Sequence, residues 1–140
     1  MNTIKKLWFK GNRIYMETGA GETYSRPLEA FPILKEATVL QRNAYKIGKD
    51  KIDVRWKELD EDIHMNSFFD TTEADYSNTV ALSLKQFPQI NISALANQIG
   101  INKSLLAKYI YGIKKPSTDR KKEIETALHT LGRRLLEVQL

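Results

Sequence analysis

The first half of the chain alternates apolar and polar residues over short segments, which is the pattern of half-buried strands. Thr3–Phe9 and Arg13–Thr18 are rich in β-branched and aromatic residues, and Lys10-Gly11-Asn12 between them has the composition of a turn. The pattern therefore predicts a hairpin, and Gly19-Ala20-Gly21 then predicts a second turn that leads into a third strand over Glu22–Ser25.

A short helical segment is predicted after these strands. Pro27 suits the first turn of a helix, and Leu28, Phe31 and Leu34 share one face of it. Because Pro32 interrupts a helix that reaches it, two short turns are expected rather than one continuous helix.

A second hairpin is predicted from Ala44–Ile47 and Ile52–Trp56, with residues 48–51 as its turn. The cluster Asp60-Glu61-Asp62-Ile63-His64 that follows is interpreted as an exposed acidic turn with charges suited to a helix N-terminus. Together these elements predict a small α+β domain over residues 1–70.

Residues 71–77 are polar, have no apolar period and are interpreted as a linker. From residue 78 onward the period becomes helical. Val80, Leu84 and Phe87 predict a short first helix that ends near Pro88.

Three further helices are predicted. Ile92–Ile99 follows the N-cap candidate Asn91, and Lys103–Tyr111 follows Asn102. Ser117 or Thr118 caps a long last helix, whose core-facing stripe is expected to consist of Ile124, Leu128, Leu131 and Leu135. The second domain, residues 78–140, is thus an all-α domain of four or five helices, and the fold class of the chain is α+β.

The charges are distributed unevenly between the two halves. Residues 1–75 carry 12 Lys and Arg against 13 Asp and Glu, whereas residues 76–140 carry 10 against 4. The positive excess of the second half favours a polyanion such as nucleic acid as its partner. The alternative at this point is a basic surface that only aids solubility.

The stretch LANQIGINKSLLAKYIYGIKKPS, residues 95–117, contains no acid. Gly100 permits a tight turn between two helices, and Ala96 permits their close approach. The outer face of the second helix is then formed by Asn102, Lys103, Ser104, Ala107, Lys108 and Tyr111. These side chains donate to phosphates and base edges, and an acid among them would repel phosphate.

SALANQIGINKSLLAKYIYGIKKPS resembles the DNA-binding domain of phage-repressor-like regulators, the XRE or lambda-repressor-like family. The resemblance covers about residues 78–135 and implies a helix-turn-helix whose second helix lies in the DNA major groove. It places DNA contacts at Asn102, Lys103, Ser104, Lys108 and Tyr111, with Lys114 and Lys115 reaching the DNA backbone. Ile92 and Ile110 depart from the family pattern, which often has Gln and an acid at these positions.

The first half is similar to a family of small bacterial domains known as domain of unknown function 2442. The matching stretch is about residues 3–66, chiefly YSRPLEAFPILKEA and KIDVRWKELDEDIHM. The resemblance implies a fold and no activity. Domains of both kinds also occur in antitoxins of bacterial toxin–antitoxin pairs, which makes a small protein partner an alternative to DNA.

No catalytic, cofactor or metal site is expected. The chain has no cysteine, two histidines, no glycine-rich phosphate loop and no Gly-x-Ser-x-Gly. Carboxylates beside His64 suit proton transfer or a metal, but further ligands at defined spacing are missing. Trp8 and Trp56 are interpreted as core residues rather than as a ligand platform.

These observations predict a non-enzymatic cytoplasmic regulator that binds double-stranded DNA as a homodimer and does not contact a membrane. The N-terminal domain is expected to serve dimerisation or to bind a partner or ligand. The alternative is an antitoxin-like interaction module that binds a protein partner, with or without DNA autoregulation.

Overall fold

The computed structural model describes residues 2–140. These residues divide into two compact units, one ending at Ala74 and the other formed by Asp75–Leu140. The first unit is rich in strands and the second is helical, so the α+β class is confirmed.

The first unit begins with an antiparallel sheet of three strands in the order β1-β2-β3. Its strands are β1 (Ile4–Lys10), β2 (Arg13–Thr18) and β3 (Thr23–Pro27). The turn between β1 and β2 uses Gly11 at a φ of +59°, a conformation that glycine adopts without steric cost. The predicted hairpin and third strand are both confirmed.

Short helical turns follow this sheet. A 3₁₀ helix spans Leu28–Ala30, and α1 spans Pro32–Glu36 with its proline in the first turn. The expected break at Pro32 is thus confirmed. The helix α2 (Val39–Asn43) was not predicted, although Thr38 and Gln41 form a reciprocal capping box at its start.

The second sheet consists of β4 (Lys46–Ile47), β5 (Asp53–Trp56) and β6 (Glu61–His64), again antiparallel. The interpretation of residues 60–64 as an acidic turn is therefore wrong beyond its first residue. In β6 Asp62 faces outward, Ile63 is buried in the core and Glu61 is half-buried, and β6 pairs with β5. A 3₁₀ helix at Met65–Phe68 completes this part.

The two tryptophans have different roles. Trp56 is fully buried, and its Nε1 donates a hydrogen bond to the carbonyl oxygen of Arg42 at 2.8 Å. Trp8 lies instead on the outer face of the first sheet, where its ring stacks on Tyr15 at a centroid distance of 5.5 Å. The core prediction is confirmed for Trp56 and wrong for Trp8.

The residues after the second sheet are held to the first one. Arg26, which is buried, donates to the carbonyl oxygen of Thr72, and Arg13 forms an ion pair with Glu73. Part of the segment interpreted as a linker is thereby fixed to the first unit.

The described residues of the second unit, 75–140, form four helices. They are α3 (Thr79–Lys85), α4 (Ile92–Ile99), α5 (Lys103–Ile110) and α6 (Thr118–Leu136). Each helix begins with a side-chain cap, from Asn78, Asn91, Asn102 and Ser117 in turn. The predicted caps at Asn91 and Asn102 are confirmed, and Ser117 rather than Thr118 caps α6.

The core of the second unit brings all four helices together. Val80, Leu84, Leu95, Leu106, Tyr109 and Ile124 are its larger buried side chains. The predicted stripe on α6 is only partly correct, because Leu128 and Leu131 are half-buried and Leu135 is 62% exposed. The prediction is wrong at Leu135, because α6 extends there beyond the helices that pack against it.

None of the helices formed by residues 2–140 combines the length and apolar character that crossing a bilayer requires.

Candidate nucleic-acid interface

Helices α4 and α5 are joined by a turn of three residues, Gly100, Ile101 and Asn102. Gly100 ends α4 at a φ of +85° in the left-handed region. The backbone N–H groups of Gly100 and Ile101 donate to the carbonyl oxygen of Ala96 at 2.9 and 3.0 Å. The N–H of Gly100 also donates to the carbonyl oxygen of Asn97, and α5 begins directly after this turn.

The two helices lock against each other through buried side chains. Leu95 and Ala96 of α4 meet Leu106 and Tyr109 of α5, and Leu106 is completely buried. Ala107 is buried as well, so its expected place on the outer face of α5 is wrong. The small side chain at 107 belongs to the packing and not to the exposed surface.

The N-terminus of α5 is an exposed site with positive character. The side-chain oxygen of Asn102 accepts a hydrogen bond from the N–H of Leu105 at 3.0 Å, and Lys103 is exposed in the first turn. No acid lies in that turn. Because first-turn N–H groups lack helical partners and the helix dipole is positive there, such an end attracts anions.

Three predicted residues follow one another along one face of α5. Ser104, Lys108 and Tyr111 stand at i, i+4 and i+7, which places them on a single stripe of a helix. All three are half-exposed. The structure thus brings together a hydroxyl, a cation and a phenol, with Asn102 and Lys103 at the N-terminal end of the stripe.

The C-terminal end of α5 turns back sharply. The N–H groups of Ile113 and Lys114 donate to the carbonyl oxygen of Lys108 at 3.0 and 3.2 Å, and Gly112 adopts a φ of +73°. Lys114 and Lys115 are exposed directly after this turn. They do not share the stripe on α5 but lie in the loop that follows it.

The start of the second unit contributes residues that the sequence interpretation assigned to the linker. The ring of Tyr76 packs edge-on against Tyr111 at 5.6 Å, and the N–H of Asp75 donates to the carbonyl oxygen of Tyr111 at 2.7 Å. The signal that was missed is an aromatic residue in an otherwise polar segment. Tyr76 therefore positions Tyr111 at the end of the stripe.

Asp75 is the last acid of the sequence before this surface. Hydrogen bonds from the Ser77 side chain and backbone, with a further contribution from the charge of Lys115, lower the pKa of its carboxyl group. Asp75 therefore stays ionised and is engaged by Ser77. From Tyr76 to Thr118 the sequence has no acid, while Lys85, Lys103, Lys108, Lys114 and Lys115 lie in that range.

The cations at the start of α6 do not extend this surface as a group. Arg120 forms an ion pair with Glu123 at 3.1 Å. Lys121 lines a groove beside α3, and Lys122 lines a smaller one beside Gln98. The three side chains thus diverge around the helix.

The side chains of the acidic cluster at residues 60–64 form ion pairs and hydrogen bonds within the first unit. Arg55 forms ion pairs with Asp60 at 2.9 Å and with Asp62 at 2.6 Å, and these carboxylates raise the pKa of the guanidinium. His64 Nδ1 accepts a hydrogen bond from the N–H of Asn66, so it caps the following 3₁₀ helix. Among residues 2–140, no three His, Asp or Glu side chains are grouped so that they could hold a metal ion.

Comparison with known protein families gives a match to the N-terminal part of the chain. Residues 4–71 match the model of a family described as protein of unknown function DUF2442. The N-terminal part is similar to that family. The match coincides with the two-sheet unit and ends before α3.

The DUF2442 match does not extend into the helical half, where no helix-turn-helix family model matches. No curated protein and no solved structure matches the chain. The function of the helical unit therefore has to be argued from its own residues.

Proposed function

We propose that the protein is a transcriptional regulator whose helical unit binds double-stranded DNA through α5. In this proposal α4, the turn at Gly100 and α5 act as a helix-turn-helix of the lambda-repressor-like kind, with α5 in the major groove. The observation that carries it is the acid-free stripe of Ser104, Lys108 and Tyr111, which continues into the capped N-terminus of α5.

The chemistry of this surface suits a duplex. Lys103 and Lys108 supply charge for phosphates, and the hydroxyls of Ser104 and Tyr111 are donors for phosphates or base edges. Asn102 caps the helix with its oxygen and keeps its amide N–H groups for a ligand. Lys114 and Lys115, in the loop after α5, are assigned to the DNA backbone.

Affinity requires more than one copy of this surface. A single helical module buries little DNA surface, and dimers therefore bind paired half-sites about 34 Å apart. We assign the protein to this dimeric class. The DUF2442-like unit is then available to bind a ligand or a partner, or to add to dimerisation.

A second candidate function rests on the first unit. Val39 and Leu40 of α2 are 69% and 83% exposed, and such neighbouring apolar side chains are typical of a protein-binding surface. An antitoxin-like module would hold a small protein partner there. Co-purification of a stoichiometric small protein, or a gene for one directly adjacent, favours this function over DNA binding alone.

The test of DNA binding is a fluorescence-anisotropy titration of the purified protein. The DNA is the duplex upstream of its own gene, a scrambled duplex of equal composition is the control, and both are titrated at two salt concentrations. The proposal predicts preference for the native duplex and an affinity that falls steeply with salt, since each phosphate contact contributes about 0.9 to the log–log slope. Absence of binding at low salt contradicts the proposal.

A further inference from the structure

An open apolar groove runs between α3 and α6 in the helical unit. Its volume is about 830 Å³. Its wall includes Val80 and Leu84 of α3, Phe87 just after α3, and Leu128, Leu131 and Leu135 of α6. None of the residues of α5 lines it. An apolar surface of this kind marks an interaction site, and it is separate from the surface assigned to DNA.

The same unit exposes apolar side chains at the end of α6. Leu136 is 88% exposed, and Val138 and Leu140 beyond the helix are exposed as well. Apolar side chains of this type are what the groove would bury, and they lie at or just beyond the C-terminal end of α6, the helix that forms one wall of the groove. In a two-fold interface each copy supplies both the groove and the side chains that enter the groove of its partner. This chain has both features.

Gly132 lines the groove one turn before the C-terminal end of α6. Glycine is among the least favourable residues in a helix interior. A Cβ added there would meet nothing within 4 Å, so the fold of the single chain does not require glycine. Close approach of a second backbone provides the missing reason.

The charges beside the groove match an antiparallel arrangement. Glu125, His129, Gly132 and Leu136 recur at spacings of four, three and four along one face of α6. When two copies of this face cross antiparallel, Gly132 lies opposite His129 of the second copy. Glu125 then lies within one turn of Arg133 of the second copy, so opposite charges meet twice.

We propose that a second copy of this chain occupies the groove, with the α6 helices antiparallel and residues 136–140 of each copy seated between α3 and α6 of the other. A stable interface buries about 800 Å² on each partner. The side chains that would add to the groove wall in such an interface are each more than half exposed: Phe87, Leu135, Leu136, Val138 and Leu140. This interface supplies the dimer that the proposed DNA binding needs, but its test uses no DNA.

The test is sedimentation equilibrium of the full chain over a range of concentrations. The wild type is expected to be a dimer, and Leu136→Asp and Gly132→Arg are each expected to raise the dimer dissociation constant at least about tenfold. Both positions are exposed in the single chain, so circular dichroism should show an unchanged fold. Leu82→Asp is the matched control, since Leu82 is an exposed leucine of α3 that does not line the groove, and it should leave the dimer intact.

A charge swap tests the antiparallel pairing itself. Glu125→Arg alone and Arg133→Glu alone should each weaken the dimer, and the double variant should restore it. A monomeric wild type, a Leu136→Asp variant that remains dimeric, or a Leu82→Asp variant that alone becomes monomeric overturns the proposal. Each of these outcomes leaves DNA binding by α5 to be judged by its own titration.

Discussion

Gly112 and Asp75 approach so closely that a Cβ on residue 112 would overlap the carbonyl oxygen of Asp75. The amide of the Asn78 side chain donates to this same carbonyl at 2.9 Å and to the carbonyl of Ile110 at 3.1 Å. The beginning of the helical unit is thus tied to the end of α5, directly before Lys114 and Lys115. The placement of the candidate DNA surface depends on this contact.

Gly112→Ala is expected to destabilise the helical unit by at least ~2 kcal/mol, because the new Cβ meets backbone and the residue must keep a positive φ. Gly100→Ala is the matched comparison. It also has a positive φ but has open space around its Cβ, so it should cost only about 1 kcal/mol. Urea unfolding followed by helical circular dichroism measures both, and equal losses would show that the contact with Asp75 is unimportant.

Substitutions of Asn102 separate stability from DNA binding. Asn102→Ala removes the cap of α5 and should cost about 1 kcal/mol of unfolding free energy. Asn102→Asp keeps an accepting oxygen and suits the helix dipole, so stability should be retained. The added negative charge should nevertheless weaken DNA binding.

The decisive comparison is therefore Asn102→Asp in both assays, thermal unfolding and DNA titration. If this variant binds DNA as tightly as the wild type does, the N-terminus of α5 does not face phosphate.

The ion pair between Arg13 and Glu73 predicts a pH dependence in the first unit. The hydrogen bond and charge of Arg13 lower the pKa of Glu73 below its ordinary value of 4.5. A lowered carboxyl pKa adds stability above the unfolded-state pKa, and this stability is lost as pH falls through the folded-state value. Because Glu73 is largely exposed, the contribution should stay below about 1 kcal/mol.

Glu73→Gln is expected to reduce the free energy of unfolding slightly at pH 7 and to flatten its decline below pH ~4.5, the range in which this carboxyl gains its proton. Glu58→Gln, at an exposed acid on the loop between β5 and β6, serves as the control. Urea titrations of the variants across the acid range provide the measurement. An acid limb identical to that of the wild type would show that the pair is not formed in solution.

Local signals in the sequence predicted much of the helical unit. Asn91 and Asn102 were recognised as caps because each directly precedes an apolar helical period, and Gly100 because a glycine there separates two such periods. Both signals act over a few residues, so they can be read without knowledge of the packing. The stripe of α6 failed at Leu135 because burial depends on how far the other helices reach.

The first unit shows which features local signals could not predict. Strand β6 was missed because its acids resemble a turn and Ile63 is its only fully buried residue. Trp56 has polar neighbours whereas Trp8 stands between Leu7 and Phe9, and which face of each strand is covered depends on tertiary packing. In the candidate site, Ala107 was misplaced because alanine suits the surface and the interior of a helix equally well.

The most direct test of the account is DNA binding by a Lys103→Glu/Lys108→Glu double variant, measured by anisotropy against the native upstream duplex at several salt concentrations. The control is Lys49→Glu/Lys57→Glu, which makes the same change in net charge at exposed positions of the first unit. If α5 lies in the major groove, the α5 variant loses most of its affinity and its salt slope falls by about two, whereas the control binds almost as the wild type does. If the α5 variant binds with wild-type affinity and slope, α5 is not the DNA-binding element.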